Sequence, residues 1–121
     1  MIRITDRSMY LPQGDTGKTE FNAENLGLEI SQTDKLLFLI TTRSKQEVYR
    51  EVLSPDETGV FTLNLTNTEQ IPVGEYLWQV RQYTNGVVDE EGTLTGDEIN
   101  TPFGPQLFKV TEVLGNGTVH A

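Results

Sequence analysis

At 121 residues the chain has the length of one domain and can bury roughly two thirds of its unfolded surface in a core. It has no cysteine, which excludes disulfides and thiolate metal sites and leaves redox compartment unread. Eighteen acidic against nine basic residues give a formal charge of −9, and such a surface repels nucleic acid unless a basic stripe offsets it.

No such stripe is visible in the sequence. Arg3, Arg7, Lys18, Lys35, Arg43, Lys45, Arg50, Arg81 and Lys109 are spread along the chain, so no nucleic-acid partner is expected and the acidity reads as solubility. The opening MIRITDRSMY lacks the apolar core of a secretory signal. The longest apolar run, LLFLI at 36–40, is far short of the roughly 20 residues that cross a bilayer. The expectation is a chain made in the cytoplasm with no signal peptide and no membrane partner.

In chain order, the hydrophobic period is two almost everywhere, as in half-buried strands. PQGDTG (12–17) is a turn. LGLEI places Leu26, Leu28 and Ile30 on one face of a strand. LLFLITTR is apolar on both faces at its start, which suits a central strand or one covered at one end by a loop, and its tail Ile40-Thr41-Thr42 favours strand over buried helix. SKQEVYREVL (44–53) reads as a strand pairing with it, and SPDETG (54–59) as the next turn. VFTLNLT puts Phe61, Leu63 and Leu65 on one face. NTEQI (67–71) suits a short helical turn capped by Asn67 or Thr68. IPVG then turns the chain into EYLWQVRQY, where Tyr76, Trp78 and Val80 share the core face. Asn85-Gly86 is a hairpin pair, predicting that VRQY and VVDE form a hairpin. The predicted core is Tyr76, Trp78, Val80, Phe61, Leu63 and Phe38, in an all-β sandwich of seven to nine strands. The segment 115–121 is expected to be a mobile tail.

Tyr76 stands two residues before Trp78, just after the connection from Leu65 to Gly74. In immunoglobulin-like sandwiches a tyrosine in that place bonds back to upstream backbone, two residues before the second cysteine. Trp78 would then fill the volume of the missing disulfide. The order Gly-Asp-Thr-Gly, Asp34-Lys35-Leu36-Leu37-Phe38, Asp56 to Phe61, Ile71 to Tyr76 and Phe108-Lys109-Val110 resembles the small immunoglobulin-like domains of bacteriophage and prophage structural proteins of Gram-positive hosts. The N-terminal domain of upper baseplate proteins is similar in plan. The resemblance covers roughly residues 2–113 and departs from its pattern at DEEGTLTGDEINTPFG (89–104). It implies an immunoglobulin-like antiparallel β-sandwich and a virion part of a tail, baseplate or fibre attachment. The partners implied are other virion proteins or a second copy of the chain, with localisation in the virion after synthesis in the bacterial cytoplasm.

Site chemistry is sparse. His120 is one residue from the end of the sequence, a poor place for a triad. Asp89, Glu90, Glu91, Asp97 and Glu98 could supply oxygens to calcium, with Gly92 and Gly96 as bends, but lack the alternating Asp spacing of an EF-hand; a solvated loop is the plainer reading. Gly17-Lys18-Thr19 matches the end of a phosphate-binding loop, yet Pro12 stands where its first glycine belongs. No catalytic residue, metal or cofactor is expected. Tyr10, Tyr83 and Phe103 are interface candidates, with Phe103 foremost because Pro102 and Gly104-Pro105 would hold it on a stiff loop. The expected function is therefore a non-enzymatic structural or assembly module acting through protein–protein contacts. The alternative is a carbohydrate- or cell-surface-binding sandwich using Trp78 or Tyr83, with or without calcium.

Overall fold

A computed structural model describes residues 2–5, 7–66 and 68–112. The chain is all-β, with sheets packed against one another around one main core. Its strands are β1 (Arg3–Thr5), β2 (Ser8–Pro12), β3 (Gly17–Phe21), β4 (Lys35–Thr41), β5 (Glu47–Leu53), β6 (Phe61–Leu65), β7 (Gly74–Tyr83), β8 (Val87–Val88), β9 (Leu94–Thr95) and β10 (Ile99–Thr111). One sheet has the order β1-β2-β10-β7-β4-β5, and β3-β6 and β8-β9 form two further pairs. Ten strands among the described residues exceed the seven to nine expected, because the two-residue pair β8-β9 carries no periodicity to read.

The six-stranded sheet is antiparallel except where β2 lies parallel to β10. As the doubly apolar run predicts, β4 is central, between β7 and β5. Its Leu36, Phe38 and Ile40 enter the main core, while Leu37 is buried on the opposite face. From the other layer, Phe21 of β3 and Phe61, Leu63 and Leu65 of β6 meet them. The margin of β6 is covered from the facing sheet. Tyr49 Oη donates to Glu51 Oε1 at 2.5 Å, and the two side chains reach the carbonyl and N–H of Asn64 at 3.4 and 3.5 Å. Burial, and then the hydrogen bond and charge of Glu51, push the Tyr49 phenol above its ordinary range.

Two local expectations are corrected. The run LGLEI is not a strand. Residues Ala23–Leu26 form a helix, α1, because Asn22 and Asn25 cap each other reciprocally and Gly27 adopts φ +66° at the far end. Leu26, Leu28 and Ile30 still turn toward the core, so the alternation reported burial and not strand geometry. Nor do VRQY and VVDE form a hairpin. Both sides of β7 are already occupied, by β4 and β10, so Val87-Val88 pairs instead with Val88↔Leu94 register in β9. Asn85 does take a positive φ of 48°, but its turn leads onto the outer face of the sheet. The short turn after β6 is 3₁₀ over Thr68–Gln70, and the Thr68 hydroxyl donates to the Asp15 carbonyl. Asn67, the other proposed cap, lies outside the described residues, as do His120 and the tail 115–121.

Candidate functional site

The turn before β7 and the large residues inside it act as one unit. Tyr76 Oη donates to the Pro72 carbonyl at 2.7 Å, the back-bond that its position predicts. Two residues on, Trp78 is 2 % exposed and its Nε1 donates to the Arg7 carbonyl at 2.8 Å. The indole stands 6.4 Å from the Phe21 ring across the sheets and 5.9 Å from Phe38, stacked on it. Val80, Phe61, Leu63 and Phe38 share this core. Removing only the hydroxyl should separate the corner bond from ring packing. Tyr76→Phe is expected to lose about 1–2 kcal/mol, since a partly buried hydrogen bond is removed, and urea unfolding measures it. A variant as stable as the parent would show that water replaces the bond at no cost.

The aromatic interface candidates are placed differently from expectation. Phe103 is 8 % exposed and belongs to β10, not to a loop. Its ring packs 5.5 Å from Trp78 and 6.0 Å from Phe21, with the Arg7 guanidinium 5.2 Å above it. Register shifts on either side of Phe103 take up Pro102, Gly104 and Pro105 within the strand, which is how a sheet tolerates prolines. Tyr83 is 7 % exposed and packs with Leu37 and Leu94 in a satellite core. Only Tyr10 remains half-exposed, beside Arg3, whose guanidinium lies 4.8 Å over its ring at the β1-β2 margin. With Trp78 and Tyr83 both buried, the carbohydrate reading loses the two rings it depended on.

The acidic segment is a folded hairpin whose acids do not converge. Asp89 accepts from the N–H groups of Glu91 and Thr93 at 2.9 and 2.8 Å, closing its own turn. Asp97 Oδ2 accepts from Asn85 Nδ2 at 2.7 Å, far along the loop from that turn. Among the described residues no three acids or histidines come together as a metal would require. The five calcium candidates are exposed acids of the hairpin and of its return to the sheet. Elsewhere, Asp56 accepts from Val60 N–H, Thr58 Oγ1 and Thr58 N–H, and these bonds, the Val60 one foremost, hold its carboxyl below the usual range.

What the sequence reading missed is a basic surface. On the outward face of the six-stranded sheet, a concavity of about 600 Å³ is lined by Arg43, Lys45, Arg50 and Arg81, with Leu39 and Leu77 among its apolar walls. These are four of the nine bases in the chain. Arg50 stands opposite Leu39 and Arg81 opposite Leu37 across β4, so strand pairing assembles residues that are up to 38 positions apart in sequence. The strand period could have put Arg50 and Arg81 on outward faces, but only the β5-β4-β7 order makes them neighbours. Glu75 pairs with Arg43 at 3.0 Å and Glu47 with Arg50 at 3.2 Å, both in solvent, where such pairs contribute little. Arg81 Nε is buried and has no hydrogen-bond partner among the described residues. No protein-family model, curated protein or solved structure matches the chain.

Proposed function

We propose that this chain is an immunoglobulin-like sandwich serving as a non-enzymatic structural module of a phage or prophage particle, in a tail, baseplate or fibre attachment, and working through protein–protein contacts. Several features support the fold assignment. The order β10-β7-β4-β5 is that of strands G-F-C-C′ in variable-type domains, and β3-β6 would be the B-E pair of their four-stranded second sheet. Tyr76 makes the corner bond, and Phe21 and Trp78 meet across the layers, where antibody domains place their inter-sheet disulfide. The particle assignment rests on the resemblance in motif order.

The observation that carries the contact function is the basic concavity. An acidic protein has concentrated four bases around half-buried leucines on one sheet face, and that combination suits an acidic protein surface. The test is to band particles from an induced culture by density and quantify this chain by mass spectrometry. A fixed copy number per particle is expected. A chain absent from intact particles overturns the reading.

A further inference from the structure

The outward face of the six-stranded sheet is divided by charge along its strands. At the end where Lys35 pairs with Tyr83, Leu94 of the β8-β9 hairpin packs on Leu37 and Tyr83. The hairpin and its return carry Asp89, Glu90, Glu91, Asp97 and Glu98, all exposed. At the other end, where Thr41 pairs with Leu77, lies the tight β4-β5 turn with Arg43 and Lys45, the outer rim of the concavity. The six-residue step along β7 from Leu77 to Tyr83 separates these ends by roughly 20 Å, at about 3.4 Å per residue. Leu39 belongs both to the satellite core and to the concavity wall, so the two ends share one continuous surface. Glu47 is the one acid in the concavity lining among the described residues, and Glu75 pairs with Arg43 at its rim.

We propose that a second copy of this chain covers this face in a two-fold dimer, the acidic hairpin of each copy seated against the basic concavity of the other. The inference rests on reading the face as a protein contact. Two molecules of charge −9 repel each other overall, so they associate only where local charges match. A two-fold axis between the faces, running across the strands, brings each acidic end over a basic end and makes both contacts at once. Arg81 lines the concavity, and a carboxylate that bonds its guanidinium makes a charge-assisted bond, the stronger kind.

The test uses the full chain, by light scattering from about 10 μM to about 1 mM, a span that captures weak homodimers. A monomer–dimer equilibrium is expected, with Kd rising at least about tenfold as added salt screens the contact. Arg43→Glu/Lys45→Glu and Glu90→Lys/Glu91→Lys change exposed residues only, and each variant alone is expected to be monomeric with the parent's circular dichroism. Mixed in equal amounts they should dimerise again, because both contacts of the mixed pair join opposite charges. A parent that stays monomeric throughout, a dimer that survives either charge reversal, or a mixture that stays monomeric overturns the proposal. A monomer that binds a poly-glutamate peptide at Arg43 and Lys45 also overturns it, and assigns the concavity to an acidic segment of another protein. A monomeric chain still present at fixed copy number in particles removes the dimer and leaves the structural-module reading standing.

Discussion

Trp78→Ala is expected to bring the fold close to its limit, lowering stability by about 3–5 kcal/mol. Few domains of this size hold more than about 5–15 kcal/mol in total. The indole is where three elements of the main core converge: Phe38 of β4 at 5.9 Å, Phe103 of β10 at 5.5 Å and Phe21 of β3 at 6.4 Å. Truncation leaves a cavity that none of these strands can close without breaking its ladder, and close packing makes such voids expensive. It also strands the Arg7 carbonyl, which accepts the indole N–H. Because Trp78 is the only tryptophan, unfolding has to be followed by circular dichroism in urea. Trp78→Phe separates the two losses: it keeps most of the ring but not the donor, and about 1–2 kcal/mol should go. A Trp78→Ala midpoint equal to the parent's would mean that the core does not depend on this ring.

That burial of Trp78 was legible in the sequence, and so were β4, β5, β6 and β7, because period two is a local signal that each strand carries by itself. The link between Tyr76 and the turn upstream was legible for the same reason, since it spans only four residues. Where local signals compete, the fold follows the one that bonds and pairing support. Leu26, Leu28 and Ile30 alternate, but Asn22 and Gly27 bracket a helical turn, and capping bonds over a few residues outweigh an alternation of three. Asn85 offers a hairpin turn, but a hairpin needs a free margin on β7, and β4 and β10 had taken both. Phe103 looked exposed because Pro102 and Pro105 are loop residues by composition; the register shifts that admit them into β10 depend on its pairing with β7.

The basic concavity was the least legible feature for a general reason. Charge along a sequence says how many bases there are, while strand order says which of them meet. Arg43 and Lys45 on one turn are ordinary, and so are a single Arg50 and a single Arg81. Their convergence depends on β5 and β7 flanking β4. The acidic hairpin reaches the same face because Leu94 docks on Tyr83 and Leu37, an apolar contact hidden in a segment whose composition reads as solvated loop. One sheet face therefore carries both signs of charge, although neither the count nor the order of charged residues indicates it.

Asp34→Ala is the second large effect expected, a loss of about 2–4 kcal/mol, since bonds to a charged group are worth more than neutral ones and their donors are left behind. Asp34 is 4 % exposed and accepts three hydrogen bonds: Ser31 N–H and Gln82 Nε2 at 2.9 Å on Oδ2, and Asn85 N–H at 3.2 Å on Oδ1. It thereby ties the turn entering β4 to the end of β7. Asn85 extends the tie, accepting from Thr33 Oγ1 at 2.6 Å and donating to Asp97 at 2.7 Å, and Gly86 N–H donates to the Thr33 carbonyl at 2.9 Å. The buried Gln82 amide keeps one acceptor, the Glu29 carbonyl at 3.0 Å, but loses its bond to Asp34. Asp34→Asn should also destabilise, by about 1–2 kcal/mol, because both oxygens receive donors and either orientation of the amide turns an N–H toward another N–H. Hydrogen exchange gives the specific readout: the Ser31 and Asn85 amides should lose protection in both variants, ahead of β3 and β6. If Asp34→Asn retains the parent's stability and its Asn85 protection, the network is not what joins the two turns, and the acidic hairpin is held to the sheet by Leu94 and by the bonds of Asp97 and Glu98 to Thr84.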